Sequence, residues 1–262
     1  MKTGKTPEES FLTDGYLKRE VEDPLALDGI SQAVFELAKQ HLNLETDSSP
    51  TEFFNQVGHH ANADNLNGLR LHIIHGLLQS QTFHNNVYRC GQSALETIVG
   101  NELAIQRNMG FNIQLPGDDS SLLAPHSDVW GSECSPYECV LWLPLVDCYR
   151  SKSIFFLPPD KDRFWRKKLS LFSSMDELFD AIKDDVVWVD VSYGEFLLFT
   201  PTCLHGNRIN EENEARWSFN IRFKGLFTPY AGKGFGEYFQ PLTIKPVTRI
   251  GMGFEFPRVG ND

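Results

Sequence analysis

Residues 216–223 read Arg-Trp-Ser-Phe-Asn-Ile-Arg-Phe, a run in which polar and apolar side chains alternate without a break. Successive side chains of a β-strand point to opposite faces of its sheet, so this period of two predicts a strand with one polar and one apolar face. The polar face carries Arg216, Ser218, Asn220 and Arg222. Such a strand either lies at the edge of a sheet with its polar face in solvent, or lines a polar cavity in which cations bind a dicarboxylate.

Two histidines and an aspartate upstream of this strand have the spacing of a metal site. Residues 126–128 read His-Ser-Asp, and in an extended chain residues i and i+2 point the same way, so His126 and Asp128 can both reach one ion. Residues 194–201 read as a turn and an apolar strand that ends shortly before His205. A lone His-x-Asp is more often a pair of surface residues. The three together match the two imidazoles and one carboxylate of non-haem Fe(II) oxygenases, so we predict a metal site.

The first third of the chain has the periodicity of helices. Asp23 and Pro24 stand in the order of an N-cap and a first helical residue, and apolar residues follow at helical spacing. Residues from about 65 to 78 and from about 82 to 99 predict two further helices. These segments would support the β-rich part of the chain from one side.

After the helices the hydrophobic period changes to two. The strand predicted at 111–115 carries the amides of Asn112 and Gln114 on its polar face. These amides either line a pocket or face solvent. Residues 139–146 and 186–191 predict further apolar strands.

No internal repeat or linker divides the chain, so we expect a single domain over residues 1–262. About 1–102 would be mostly helical support and about 103–223 the β core. Residues 224–262 are rich in Gly and Pro and predict loops, which would form a lid or a homodimer contact.

Composition indicates a globular protein and argues against two classes of partner. Hydrophobic residues make up 41% and charged residues 23% of the 262 residues. The net charge of −11 argues against nucleic acid and anionic membrane as partners. No apolar run has the length of a membrane span, and the first residues lack the apolar core of a signal peptide. Five cysteines without a paired framework fit a reducing compartment, so we expect a cytoplasmic location.

Four stretches of the sequence resemble one known family. They are 11–17 (FLTDGYL), 126–128 (HSD), 140–147 (VLWLPLVD) and the region 194–223. Together they are similar to the motifs of the Fe(II)- and 2-oxoglutarate-dependent dioxygenases of the phytanoyl-CoA-dioxygenase-like superfamily. Residues 149–160 depart from the family pattern, because its Gly-Ser-His ending is absent. No substrate is therefore carried over from the best-known members.

The resemblance implies a fold and a set of ligands. The fold would be mainly β with N-terminal helices, a double-stranded β-helix of the jelly-roll, cupin-like kind. His126, Asp128 and His205 would bind Fe(II), and no catalytic residue beyond these metal ligands is predicted. Arg216, eleven positions after His205 (216 − 205), would hold the far carboxylate of 2-oxoglutarate beside Ser218.

Three other polar residues are secondary candidates for the cosubstrate site. Asn112 and Gln114 would contribute their amides from the strand at 111–115. Arg222 lies on the same predicted face as Arg216 and is an alternative anchor for 2-oxoglutarate.

The reaction that the resemblance implies is the oxidation of a substrate C–H bond by O2, with 2-oxoglutarate converted to succinate and CO2. Related halogenases have a small residue at the carboxylate position, so Asp128 favours hydroxylation, desaturation or ring closure over halogenation. Because no feature indicates a protein, nucleic acid or lipid partner, we expect a small polar metabolite, such as a carbohydrate or a natural-product intermediate.

Three alternatives remain open at the level of the sequence. The chain could be a cupin-like metalloenzyme that does not use 2-oxoglutarate, against which Arg216 argues. It could be a non-catalytic binding module on the same fold, against which the intact triad argues. It could also be a structural jelly roll in which the histidines are incidental.

Overall fold

Helices precede most of the strands in the computed structural model, which describes residues 5–131 and 133–256. Within this part of the chain, the first elements are α1 (Pro7–Asp14), β1 (Tyr16–Glu20), α2 (Pro24–Leu42), α3 (Pro50–Gln56), α4 (Ala63–Gln79), α5 (Phe83–Cys90) and α6 (Gln92–Ile98). Residues 82–99, predicted as one helix, form two, because the backbone at Gly91 leaves the helical conformation. None of the described helices combines the length and the apolar character that crossing a membrane requires.

The start of α2 follows directly from its sequence. The Asp23 side chain accepts a hydrogen bond from the backbone N–H of Ala26 at 3.1 Å, and Pro24 occupies the first helical position. This cap satisfies an N–H that has no partner within the helix. Residues at helical spacing, among them Ile30 and Val34, are buried against the rest of the molecule. The helix predicted from residue 23 onward is therefore confirmed.

The remaining elements are helices and the strands that, together with β1, form two antiparallel sheets. They are β2 (Leu103–Gln106), β3 (Gly110–Gln114), β4 (Glu138–Pro144), β5 (Ile154–Phe156), α7 (Pro159–Arg166), α8 (Met175–Ile182), β6 (Val187–Val189), β7 (Glu195–Phe199), β8 (His205–Gly206), β9 (Arg216–Gly225), β10 (Phe239–Thr243) and α9 (Pro246–Met252). Among the described residues, the larger sheet has the order β1-β7-β4-β9-β2-β10, with β3 also paired to β9. The smaller sheet has the order β6-β5-β8.

Strand β9 lies in the interior of the larger sheet. One edge pairs with β4, and the other pairs with β3 along its first half and with β2 near its end. Its apolar side chains pack on the helices, as in the contact of Trp217 with Phe54, whose ring centroids lie 4.6 Å apart. Its polar side chains therefore face the interior between the sheets. The alternative of an amphipathic edge strand is wrong.

The C-terminal region contains more regular structure than the sequence indicates. Residues 224–262 were expected to be loops, but β10 pairs with β2 and α9 follows it. Strand β10 is an edge strand that contains Pro241, so it lacks the uninterrupted alternation by which strands are recognised. The expectation of loops is wrong for 239–252, and residues 257–262 lie outside the described part of the chain.

The centre of the larger sheet carries much of the hydrophobic core, which can be tested with one substitution at two positions. Leu141 in β4 is fully buried, whereas Leu25 in α2 is 80% exposed. We expect Leu141→Ala to lower the free energy of unfolding by roughly 2–5 kcal/mol through lost burial and a residual cavity. Leu25→Ala should change it by less than about 0.5 kcal/mol. Urea denaturation measures both, and equal effects would contradict the placement of the core.

Candidate functional site

A cavity of about 230 Å³ lies between the two sheets. Its lining includes Arg216 and Ser218 from β9, Asn112 from β3, His205 from β8, and the pair His126 and Asp128 from the loop after β3. A larger and more open cleft of about 890 Å³ is lined by Glu52, Asp118 and Glu214, but none of the predicted metal ligands reaches it. The cavity between the sheets is therefore the candidate site, although it is the smaller of the two.

Backbone pairing brings the two histidines together. His126 and His205 exchange both backbone hydrogen bonds, at 3.0 and 2.9 Å, in an isolated antiparallel bridge. Their rings lie side by side, with centroids 4.5 Å apart. His126 and His205, which are far apart in the chain, share a site because this bridge joins the loop before Asp128 to the start of β8.

The carboxylate of Asp128 lies against both rings. Its Oδ1 is 3.6 Å from Nε2 of His126, and its Oδ2 is 3.9 Å from Nε2 of His205. One ligand atom from each of the three residues lies within 4.8 Å of the others. Among the residues described, this is the group of His, Cys, Asp and Glu side chains with the geometry of a metal site.

The local conformation around Ser127 differs from the predicted strand. His126 forms only the single bridge, and a turn begins after it, in which the N–H of Trp130 donates to the carbonyl of Ser127 at 3.1 Å. Ser127 nevertheless points away from the site and donates to the carbonyl of Pro201 at 3.0 Å. The side chains of His126 and Asp128 reach the same site, as their spacing predicts, but the regular strand is wrong, because this loop pairs with only one residue of β8.

Hydrogen bonds fix the orientation of both imidazoles. Nδ1 of His126 lies 2.8 Å from the carbonyl oxygen of Ala124, and Nδ1 of His205 lies 3.0 Å from that of Cys203. A carbonyl oxygen only accepts, so each Nδ1 carries a proton, and each ring in its neutral form presents the lone pair of Nε2 to the site. Burial, with a smaller contribution from His126, lowers the pKa of His205 to about 4. His205 is therefore neutral at neutral pH, which is the form that binds metals.

Asp128 is held in its ionised form. Burial by itself raises the pKa of this carboxyl group, but the close contact with the imidazole of His126 and the charge of Arg222 outweigh burial and hold the pKa well below its usual range. Nη2 of Arg222 lies 3.0 Å from Oδ1 of Asp128. A site with an ionised carboxylate and two imidazole lone pairs suits a divalent transition metal.

Arg216 is a buried cation without an acidic partner in the described chain. Its Nη1 donates to the carbonyl of Ser153 at 2.8 Å and its Nη2 to Oδ1 of Asn112 at 2.9 Å. Its Nε and the neighbouring hydroxyl of Ser218 are buried without a hydrogen-bond partner. Burial lowers the pKa of Arg216 to about 10, so the group stays charged at neutral pH. A buried charge with unused donors beside it is costly unless an anion binds there.

The predicted amides and the alternative arginine have different environments. Asn112 lines the cavity and contacts Arg216, as the cavity interpretation of this strand requires. Gln114 is buried but does not line the cavity, because its Nε2 donates to the carbonyl of Arg208 at 2.6 Å. Arg222 contacts the carboxylates of Asp128 and Glu138 rather than sharing the surroundings of Arg216.

The contact of Glu138 with Arg222 was not found from the sequence. Glu138 is the first residue of the apolar strand β4, and its side chain is fully buried. An acidic residue at the start of an otherwise apolar strand is the signal that could have indicated a buried cation nearby. This signal does not identify Arg222 as the cation, because the register of β4 against β9 cannot be predicted from the sequence.

Solved structures with this fold include several non-haem enzymes. A non-haem monooxygenase, ThoJ, in a nickel complex, has a TM-score of 0.60 at 13% identity and covers 93% of this chain and 86% of its own. The 2-oxoglutarate-dependent carbocyclase SnoK from nogalamycin biosynthesis has a TM-score of 0.57 at 12% identity, with 92% and 97% covered. EctD from S. alaskensis, solved with 2-oxoglutarate and 5-hydroxyectoine, has a TM-score of 0.56 at 14% identity, with 86% and 79% covered.

These similarities concern the fold, because the identities are low. No protein-family model matches the chain, and no curated protein matches it by sequence. The chain therefore shares the overall architecture of these three proteins over most of its length.

The triad makes a direct prediction about metal binding. We expect His126→Ala, Asp128→Ala and His205→Ala each to reduce binding of Fe(II) strongly while the protein stays folded, because each removes one of three ligands. His75→Ala, which changes a helical histidine outside the triad, is the matched control. Anaerobic titration with Fe(II) and circular dichroism measure binding and folding. Normal Fe(II) binding by a folded His205→Ala protein would refute the assignment.

Proposed function

We propose that this protein is an Fe(II)- and 2-oxoglutarate-dependent oxygenase that hydroxylates a C–H bond of a small polar metabolite, such as a carbohydrate or a natural-product intermediate. One observation carries the proposal. The buried guanidinium of Arg216, with no acidic partner among the described residues, lines the same small cavity as His126, Asp128 and His205. A cation placed beside a metal site is what a ligand with a metal-binding end and a distant carboxylate requires.

Each end of the cavity has its own role in this proposal. His126, Asp128 and His205 would hold Fe(II) through two Nε2 atoms and a carboxylate oxygen, and leave the remaining positions of the ion to other ligands. When bound, Fe(II) and 2-oxoglutarate supply the O2 activation that oxidises the substrate, with succinate and CO2 as the products of the cosubstrate. The chain contributes binding, orientation and exclusion of water.

Arg216 would bind the far carboxylate of 2-oxoglutarate. The guanidinium is already oriented by Ser153 and Asn112, so little rotational freedom is lost on binding. The hydroxyl of Ser218, one position further on the same face of β9, would donate a hydrogen bond to the same carboxylate. A planar guanidinium with two parallel donors matches a carboxylate better than a single ammonium group does.

The solved structures with the same fold support the chemistry and leave the outcome of the reaction open. ThoJ is described as a monooxygenase, SnoK as a carbocyclase and SnoN as an epimerase, the last with a TM-score of 0.51 at 16% identity. The presence of Asp128 favours hydroxylation over halogenation, because the carboxylate occupies the position that a halide would need. We further propose that the two sheets form a double-stranded β-helix and that the chain is phytanoyl-CoA-dioxygenase-like.

The size and lining of the cavity support a small substrate. At about 230 Å³ it is smaller than the usual drug-sized pocket, so a bound cosubstrate would take up much of the volume. The side chain of His126 is one-third exposed, so the substrate would approach the metal from this side. Asn207 and Asn220 also line the cavity and would offer amides to polar groups.

The cosubstrate assignment predicts a selective effect of one substitution. Arg216→Lys should raise the 2-oxoglutarate concentration needed for half-maximal succinate formation by on the order of ten- to a hundred-fold, because one of two charge-assisted hydrogen bonds is lost. Arg89→Lys, at a half-exposed arginine paired with Asp23, is the matched control and should have no effect. Succinate released in the absence of an added substrate provides the assay.

A parallel substitution separates the two arginines of β9. If Arg222→Lys raises the 2-oxoglutarate requirement and Arg216→Lys does not, the anchor is Arg222. If the wild-type protein binds Fe(II) but consumes no 2-oxoglutarate and is not stabilised by it, the protein is instead a metal-binding protein of another class on this fold.

A further inference from the structure

Arg222 lies between two carboxylates, only one of which belongs to the predicted metal site. Its Nη2 is 3.0 Å from Oδ1 of Asp128, and its Nη1 is 3.1 Å from Oε2 of Glu138. The three side chains come from β9, from the loop after β3 and from β4. Glu138 thus reaches the metal site only through Arg222.

Glu138 is buried and hydrogen-bonded in this position. Its side chain is fully buried, and its Oε1 accepts a hydrogen bond from the backbone N–H of Ser135 at 2.7 Å. Lys224 is its neighbour across the β4–β9 pair, but the ammonium group donates to the carbonyls of Thr228 and Pro229 at 3.2 and 2.8 Å. The cation in direct contact with Glu138 is therefore Arg222.

This arrangement determines how strongly Arg222 competes for Asp128. A guanidinium with a single carboxylate partner directs its whole charge at that carboxylate, and a metal must compete with it. A second carboxylate divides the charge and weakens the hold on the first. Because Oδ1 of Asp128 is the oxygen that contacts Arg222, Oδ2, which faces Nε2 of His205, stays available as a ligand atom.

We infer that Glu138 is a positioning residue that acts through Arg222 to keep Asp128 available to the metal, an inference that rests on the proposed metal site. Glu138 contacts neither the cavity nor the ligands. Its effect is on the affinity for metal, because it offsets the charge that would otherwise hold Asp128 away from the ion. Residues beyond the direct ligands typically change metal affinity by about ten- to a hundred-fold when they are replaced.

A purely structural ion pair elsewhere in the chain provides a comparison. Lys152 is fully buried, and its ammonium group lies 2.9 Å from Oε2 of Glu214 and 3.0 Å from Oδ1 of Asn55. This pair also joins a buried cation to a carboxylate but includes none of the triad residues. Glu214→Gln therefore removes the negative charge beside the buried cation of Lys152 without changing a neighbour of Asp128.

The test is titration of the metal-free protein with Mn(II), a divalent ion for this ligand set that is stable in air. We expect Glu138→Gln to weaken Mn(II) binding by about ten-fold, whereas Glu214→Gln should not change it. Glu138→Asp keeps the negative charge and should bind more tightly than Glu138→Gln. The double variant Arg222→Met/Glu138→Gln should also bind more tightly than Glu138→Gln, because the competing cation is gone.

The order of the variants distinguishes positioning from damage to the fold. Structural damage would make the double variant the weakest binder, and this result would overturn the inference, as would wild-type affinity in Glu138→Gln. If Glu138→Gln does not fold, the double variant and Glu138→Asp are compared with wild type instead. Ten-fold weaker Mn(II) binding by a folded double variant contradicts the inference, and near-wild-type binding supports it. A wild-type protein that binds no Mn(II) or Fe(II) would instead refute the proposed metal site.

Discussion

Hydrogen bonding of β9 along both of its edges is the constraint on which the site depends. A strand in the interior of a sheet has only two faces, and the helices cover the one that carries Trp217. The polar face must therefore point between the sheets, where burial is costly for every group that lacks a partner. The same space receives His205 from the smaller sheet and His126 through a backbone bridge. The cavity, the predicted metal ligands and the cation of Arg216 thus come together for one reason.

The two arginines of this face differ in what compensates their charge. Arg222 contacts the carboxylates of Asp128 and Glu138, and these neighbours, despite the opposing effect of burial, raise its pKa above the usual range. Arg216 has only a carbonyl and an amide oxygen as partners, and burial lowers its pKa. A compensated cation supports a structure, whereas an uncompensated one leaves room for an anionic ligand. This difference, which no spacing in the sequence reveals, distinguishes Arg222 from the candidate anchor Arg216.

The sequence was informative wherever the chemistry is local. The alternation of residues 216–223 and the i,i+2 spacing of His126 and Asp128 were sufficient to predict a strand face and a ligand group that the structure brings together. It was uninformative about long-range pairing. Gln114 has the same periodicity as Asn112, yet its side chain turns to a loop carbonyl instead of the cavity. Strand β10 was not predicted because Pro241 interrupts its pattern, and only its pairing with β2, which the sequence does not show, identifies it as a strand.

The central claim is that one cavity holds both a metal and a dicarboxylate. An anaerobic crystal structure of the protein with Fe(II) and 2-oxoglutarate tests it most directly. The account predicts the ion at Nε2 of His126, Nε2 of His205 and a carboxylate oxygen of Asp128, with the far carboxylate of 2-oxoglutarate on the guanidinium of Arg216. An ion bound elsewhere, or 2-oxoglutarate bound away from Arg216, would contradict the account.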